Sequence, residues 1–293
     1  MGLLLVLAAA VLWGLLGVFT AGLLRAGLGA IEIAFWRALI AGTVFAGHAI
    51  VARTLRPFAP RALTGAVLFA LIGVTMFYVA IAYAVDTGGV SLAFILLYTA
   101  PAWVTLLASP LLGEHASPRQ WFFVALAIVG VAVVSLARGE GVTPSTAAIA
   151  WGLASGLGYA SYYLLGKRLL EGRPPEVLYG LVLPLGALGI LPFVSFEAKT
   201  LTAWVLLLGL SVISTYGAYL LYGLGLRRSR ASRAVLVATV EPVIAIALAW
   251  LIFGERFGVW GWLGALLVLG AAVGQSVGAK RSPVTNQDSV SPP

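Results

Sequence analysis

Ten stretches of about twenty residues run along this chain with almost no charge, near positions 3–24, 30–51, 62–85, 90–112, 119–137, 145–166, 175–195, 202–225, 232–253 and 259–279. A bilayer core offers no water to backbone N–H and C=O groups, so only helices and closed barrels cross it. Barrel strands alternate apolar and polar residues over about ten positions. The runs seen here are continuously apolar and of the length, about 20 residues, that a spanning helix needs. The expected fold class is therefore all-α integral membrane, with ten transmembrane helices. Charged residues make up 10% of the chain, against about a quarter in soluble domains, and the connections between runs are too short for a soluble domain. The opening MGLLLVLAAAVLWG lacks the basic stretch of a signal peptide, and its apolar run continues to about Leu24, so it reads as the first span. Residues 280–293 are polar and proline-rich and read as a disordered cytosolic tail.

The formal charge of +8 comes from Lys and Arg in short loops, not from the contiguous patch that nucleic acid would need. It reads as a topology signal. Arg53, Arg56, Arg61, Arg119, Lys167, Arg168, Arg173, Arg227, Arg228, Arg230, Arg233, Lys280 and Arg281 fall on one side, and Arg25, Arg138, Lys199 and Arg256 on the other. Thirteen against four places both termini in the cytosol. The chain has no cysteine, hence no disulfide and no thiolate metal site.

A shift of 141 positions carries Tyr78 onto Tyr219, Ser91 onto Ser232, Pro101 onto Pro242, Gly113-Glu114 onto Gly254-Glu255 and Trp121 onto Trp262. The chain thus divides into a first five-helix repeat, residues 1–137, and a second, residues 138–279. Five is odd, so the second repeat is expected to lie upside down relative to the first. Many secondary transporters use such inverted repeats, with substrate bound near the midplane between them.

These spans, the Pro and Gly-Glu that close spans four and nine, and the Glu241-Pro242 pair resemble the EamA-type drug/metabolite transporter superfamily over residues 1 to about 279. Within it the aromatic content is most like that of YddG-type amino-acid exporters. The resemblance implies export of small metabolites across a bacterial cytoplasmic membrane, with no ATPase domain and no enzymatic activity.

Glu241 lies midway between Arg233 and Glu255, out of reach of either surface. A central charge costs about 2.5–3.5 kcal/mol on the insertion scale, so it should face protein or water. It reads either as a substrate or proton site or as a structural peg. Pro101 and Pro242 each remove a helical N–H and are expected to break their helices and wall a cavity, against the alternative of simple packing kinks. Arg37 is the one basic residue placed within a span; it either snorkels or offers its forked guanidinium to a carboxylate. Depth estimates set Arg37 and Glu241 on opposite sides of the midplane, which suits a zwitterion between them better than a direct bridge.

Trp13, Tyr78, Tyr98, Trp103 and Tyr219 lie away from the surfaces and are candidates to line the cavity, core packing being the competing reading. Trp121, Trp151, Tyr179, Trp204, Trp260 and Trp262 fall at span ends, where an interfacial belt is expected. His48 and His115 read as interface residues. Gly270, Gly274 and Gly278 share one helical face, suited to close packing within the chain or to a weak homodimer. No HExxH, GxSxG or Walker A motif occurs, and no cofactor or metal is expected. The expected partners are a small-molecule substrate, with amino acids favoured, and the lipid bilayer. Other metabolites or drugs and, less directly, intramembrane catalysis are the competing functions.

Overall fold

A computed structural model describes residues 1–136, 145–253 and 258–277. The tail at 280–293, Gly254-Glu255, Arg138, Arg256 and Gly278 lie outside the described residues. Every regular element among those described is helical. Helices α1 (Gly2–Gly14) and α2 (Leu16–Arg25) form one apolar rod, followed by α3 (Ala30–Val51). Next, α4 (Pro60–Phe69) runs through a π-helical stretch, Ala70–Met76, into α5 (Phe77–Leu97). Within α5, Gly89 takes φ 80° and ψ 162°, which a residue without Cβ adopts readily, and this divides one apolar stretch from the next. The first half ends with α6 (Ala100–Leu112) and α7 (Pro118–Leu136).

Beyond it come α8 (Thr146–Leu170), α9 (Pro175–Ile190) and α10 (Leu201–Ser211). A second π-helical stretch, Val212–Gly217, leads into α11 (Ala218–Arg227), and α12 (Ala231–Ala238), α13 (Glu241–Phe253) and α14 (Val259–Val277) complete the chain.

Among the described residues, six helical stretches are long and apolar enough to cross a membrane: Gly2–Arg25, Ala30–Val51, Pro60–Gly89, Leu92–Leu112, Pro175–Phe193 and Leu201–Arg227. Pro118–Val133 and Val259–Gly274 are shorter apolar helices. The protein is a multi-pass helical membrane protein. Two expected spans stand apart for physical reasons. Helix α8 carries Ser155, Ser161, Tyr159, Tyr162 and Tyr163 because it packs in the centre, with most of these residues buried. The stretch from Ala231 to Phe253 is broken at Thr239-Val240 into α12 and α13.

Element bounds recur at the same offset as the residues. Helix α6 starts at Ala100 and α13 at Glu241; α4 starts at Pro60 and α10 at Leu201, and each of the latter two leads into a π-helical stretch. Packing obeys the same rule. Helix α5 lies along α8 as α11 lies along α1, while α3 pairs with α9 and α7 with α14. Exchanging the halves maps this set of pairs onto itself. The α3/α9 contact is close because Gly42 has no side chain: a Cβ there would lie 2.4 Å from Cδ of Pro184. Of the small-residue face on α14, Gly274 packs against Phe123 of α7, while Gly270 meets open space.

Candidate functional site

Glu241 and Pro242 open a helix; they do not interrupt one. After α12 ends at Ala238, the chain turns through Thr239 and Val240 and α13 begins at Glu241. Pro242 therefore occupies the second position of α13, where a missing N–H removes no intrahelical bond. Pro101 holds the same place in α6, after a turn at Tyr98-Thr99. The expected kinks are thus breaks between half-helices. Glu241 stands in the first turn of its half-helix, where the macrodipole and unpaired N–H groups favour negative charge.

Two tyrosines face its carboxyl. The hydroxyl of Tyr159 lies 3.5 Å from Oε2, and that of Tyr98 is the second hydrogen-bonding neighbour. Tyr163 donates in turn to Tyr159 at 3.1 Å. Arg37, half-buried on α3, donates from Nη2 to the Tyr78 hydroxyl, and its guanidinium carbon sits 4.5 Å from the centroid of the same ring. Its Nε is buried without a hydrogen-bond partner among the described residues.

The Tyr78 hydroxyl meets that of its repeat mate Tyr219 at 3.3 Å. Both tyrosines stand just after a π-helical stretch. One extra residue in a turn rotates the downstream helix by about 100°, which explains how equivalent helices aim both rings inward.

Phe77 joins the two ends of the cluster. Its ring lies 4.9 Å from Tyr78 and stacks at 5.7 Å on Tyr159. Trp13 packs at 5.6 Å from Tyr219 and 5.3 Å from Tyr222. Of the residues singled out in the sequence, Glu241, Arg37, Tyr78, Tyr98, Tyr219 and Trp13 therefore share one aromatic cluster. Trp103, on α6, is half-buried with its Nε1 unpaired, and no ring contact joins it to the tyrosines among the described residues.

Tyr159, Tyr162, Tyr163 and Tyr222 belong to the cluster without having stood out in the sequence. A signal existed, since the YASYY run of α8 puts Tyr159, Tyr162 and Tyr163 on one helical face. Tyr179, expected in the interfacial belt, is fully buried instead, its ring 5.2 Å from Tyr219. Helix α9 enters the molecule from its first turn, so a residue near a span end becomes core. No ion pair joins Arg37 to Glu241 among the described residues, and no three His, Asp or Glu side chains converge there as metal ligands would.

A family model described as the EamA-like transporter family matches residues 1–136 and 146–276. The chain belongs to the EamA-like transporter family. An uncharacterized transporter of Archaeoglobus fulgidus is 27% identical over 209 residues, 71% of this chain and 74% of that protein. The uncharacterized inner membrane transporter YicL of Salmonella typhimurium is 30% identical over 141 residues, 47% of each chain. A solved crystal structure superimposes with a TM-score of 0.80 at 18% identity, covering 94% of this chain and 96% of that one, a likeness of fold.

Two further charged clusters in this EamA-like transporter hold its ends together. Glu114, directly after the left-handed Gly113 that terminates α6, accepts from the backbone N–H groups of Ala231 and Ser232 at 2.9 and 3.2 Å. It also accepts from Ser232 Oγ at 2.9 Å and lies 3.7 Å from Nε of Arg230. The Gly-Glu pair that closes span four is thus an αL cap for one helix and an N-cap for another, and it ties the two halves. At the opposite end Glu32 is buried, ion-paired with Lys199, and accepts from Trp36 Nε1 and Glu197 N, each at 3.3 Å. Trp36, Phe196 and Trp204 surround the ammonium at 5.3, 5.7 and 5.8 Å. Nothing in the sequence singles out Glu32, and Lys199 stands out there only as a topology charge.

Proposed function

We propose that this EamA-like membrane transporter is a secondary exporter of amino acids, aromatic and other neutral ones favoured, or of closely related small metabolites. It works by alternating access between two inverted five-helix halves that cross the membrane ten times. The observation that carries this reading is the separation of opposite charges. Arg37 is held by Tyr78 with one guanidinium nitrogen unpaired, Glu241 is faced by Tyr98 and Tyr159, and aromatic rings lie between them. A zwitterion satisfies both ends: its carboxylate meets a planar fork, its ammonium meets a carboxylate, and its side chain meets tyrosine faces. The breaks before Ala100 and Glu241 support the same reading, because unwound backbone inside a membrane is stable where it borders a cavity or protein.

The test is counterflow in proteoliposomes. Vesicles loaded with one unlabelled amino acid at a time should accumulate labelled phenylalanine or leucine, and vesicles loaded with the matching amine or the matching carboxylic acid should not. Accumulation driven equally by the amine alone would remove Arg37 from substrate recognition and turn the reading toward organic cations.

A further inference from the structure

A cavity of about 370 Å³ opens where the C-terminal end of α3, the 52–59 connection and the N-terminal end of α9 meet, and its lining includes none of the tyrosines of the cluster. Leu55, Phe58 and Leu63 give it an apolar wall, Arg56 is exposed on it, and Glu176 of the first turn of α9 completes it. Glu176 is only 7% exposed, and among the described residues neither a hydrogen bond nor an ion pair engages its carboxyl. Its polar neighbour Tyr216 is committed elsewhere, with the hydroxyl 3.0 Å from Nδ1 of His48. The carboxyl thus sits in a largely apolar wall with no protein partner and opens into the cavity, where a bound cation would pair with it. Arg56 likewise has no ion pair among the described residues. The cavity therefore offers one unpaired acid in its wall, the exposed base Arg56 with apolar surface between, and a second guanidinium, Arg173, stacked 4.3 Å from the centroid of the lining Phe58 ring with its Nε unpartnered among the described residues.

We propose that this cavity seats the headgroup of an aminophospholipid from the adjacent leaflet, its primary ammonium against Glu176 and its phosphate against Arg56. Charge order selects the class. A purely anionic lipid would put its phosphate on Arg56 and bring a second negative charge toward Glu176 with no cation between them, and a simple cation would use Glu176 alone and leave the exposed Arg56 to water, so an aminophospholipid is the class that engages both. Leu55 and Leu63, 59% and 42% exposed, continue the apolar wall outward, where a glycerol and the first acyl carbons would lie. This face carries the excess of Lys and Arg, so the lipid would come from the leaflet assigned to the cytosol. The site is independent of the zwitterion site between Arg37 and Glu241, and its test uses no transport measurement.

The experiment is lipid titration of the delipidated full-length protein, read by native mass spectrometry and by the shift in unfolding temperature. The probes are short-chain phosphatidylethanolamine, phosphatidylcholine and phosphatidylglycerol, with free phosphoethanolamine beside them. A trimethylated ammonium cannot donate a hydrogen bond to Glu176, so phosphatidylethanolamine should bind about tenfold more tightly than phosphatidylcholine. Glu176→Gln should abolish that preference, and Arg56→Gln should weaken both lipids while keeping their ratio. Equal binding of the two lipids to the wild type, or a preference that survives Glu176→Gln, would overturn the proposal. If Glu176→Gln does not fold, Arg56→Glu at an exposed position decides, because undiminished phosphatidylethanolamine affinity in that variant sinks the assignment. Phosphoethanolamine binding as tightly as the lipid would overturn it in favour of a soluble ligand.

Discussion

A glutamine at position 241 would keep the shape of the side chain and its capacity to accept from Tyr98 and Tyr159, but it would carry no charge. If Glu241 holds the substrate ammonium or cycles a proton, Glu241→Gln is expected to cut flux per folded transporter at least tenfold with little change in folded yield. Measuring both across the carboxyl titration range decides the matter, and normal flux with an unchanged pH profile would make Glu241 a peg. The Glu32–Lys199 pair gives the opposite expectation, because it is buried at the molecule's edge and joins α3 to the 194–200 connection. Lys199→Met leaves Glu32 uncompensated and should cost about 3–5 kcal/mol of stability, while the double variant Glu32→Gln/Lys199→Met should recover much of the loss. Unfolding midpoints of the three proteins measure this. Position alone marks Glu241 and Arg37 as costly in the sequence. Glu32 looks there like an ordinary acid near a helix start, because its partner lies 167 residues away and only folding brings Lys199 to it.

At the scale of elements, the half-helices depend on caps supplied from elsewhere in the chain. Helix α12 has eight residues and makes no side-chain cap of its own at Arg230; both oxygens of Glu114 supply it from the other half. Such a short helix owes little to propensity and much to its ends and its packing. Glu114→Gln, with one acceptor oxygen in place of two and no charge, should lower stability by about 1–2 kcal/mol, and Glu114→Ala by more. Thermal unfolding of the two variants beside Arg230→Gln, which removes the outer 3.7 Å contact and the 2.7 Å hydrogen bond from Nη2 to the His115 carbonyl at an exposed side chain and should cost no more than about 1 kcal/mol, separates the cap from the arginine's contacts. The apolar runs make the helices legible, and their observed bounds fall within a few residues of the runs. The breaks are legible as prolines, but their form is not. Whether a proline kinks a helix or starts one depends on the residues before it, and Thr239-Val240 has no glycine or charge to announce a turn. The π-helical stretches are not legible, since ALIGVTM is as apolar as its surroundings and the Ser-Thr-Tyr of VISTYG is equally compatible with an α-helical turn.

For the whole molecule, the offset of 141 residues is a property of sequence and backbone alike, from the Tyr78 and Tyr219 hydroxyls in contact to the equivalent starts of α6 and α13. In the proposed topology each half crosses five times, which would invert the second half and set which loops share a side. Arg228, between α11 and α12, and Ala198, between α9 and α10, are both exposed and belong to successive connections, so the proposed topology sets them on opposite faces. Lys199 is no use as a reporter because its ion pair buries it. The native chain has no cysteine, so a single cysteine introduced at either position is the only thiol. Arg228→Cys is expected to react with a membrane-impermeant maleimide in inside-out vesicles and not in intact cells, and Ala198→Cys in intact cells and not in sealed inside-out vesicles. Labelling of both from the same side would give an even number of crossings between Ala198 and Arg228, which an inverted arrangement of five-span halves cannot accommodate. Reversal of both together would keep the inversion and overturn the cytosolic placement of the termini, and with it the assignment of the Arg56 cavity to the inner leaflet.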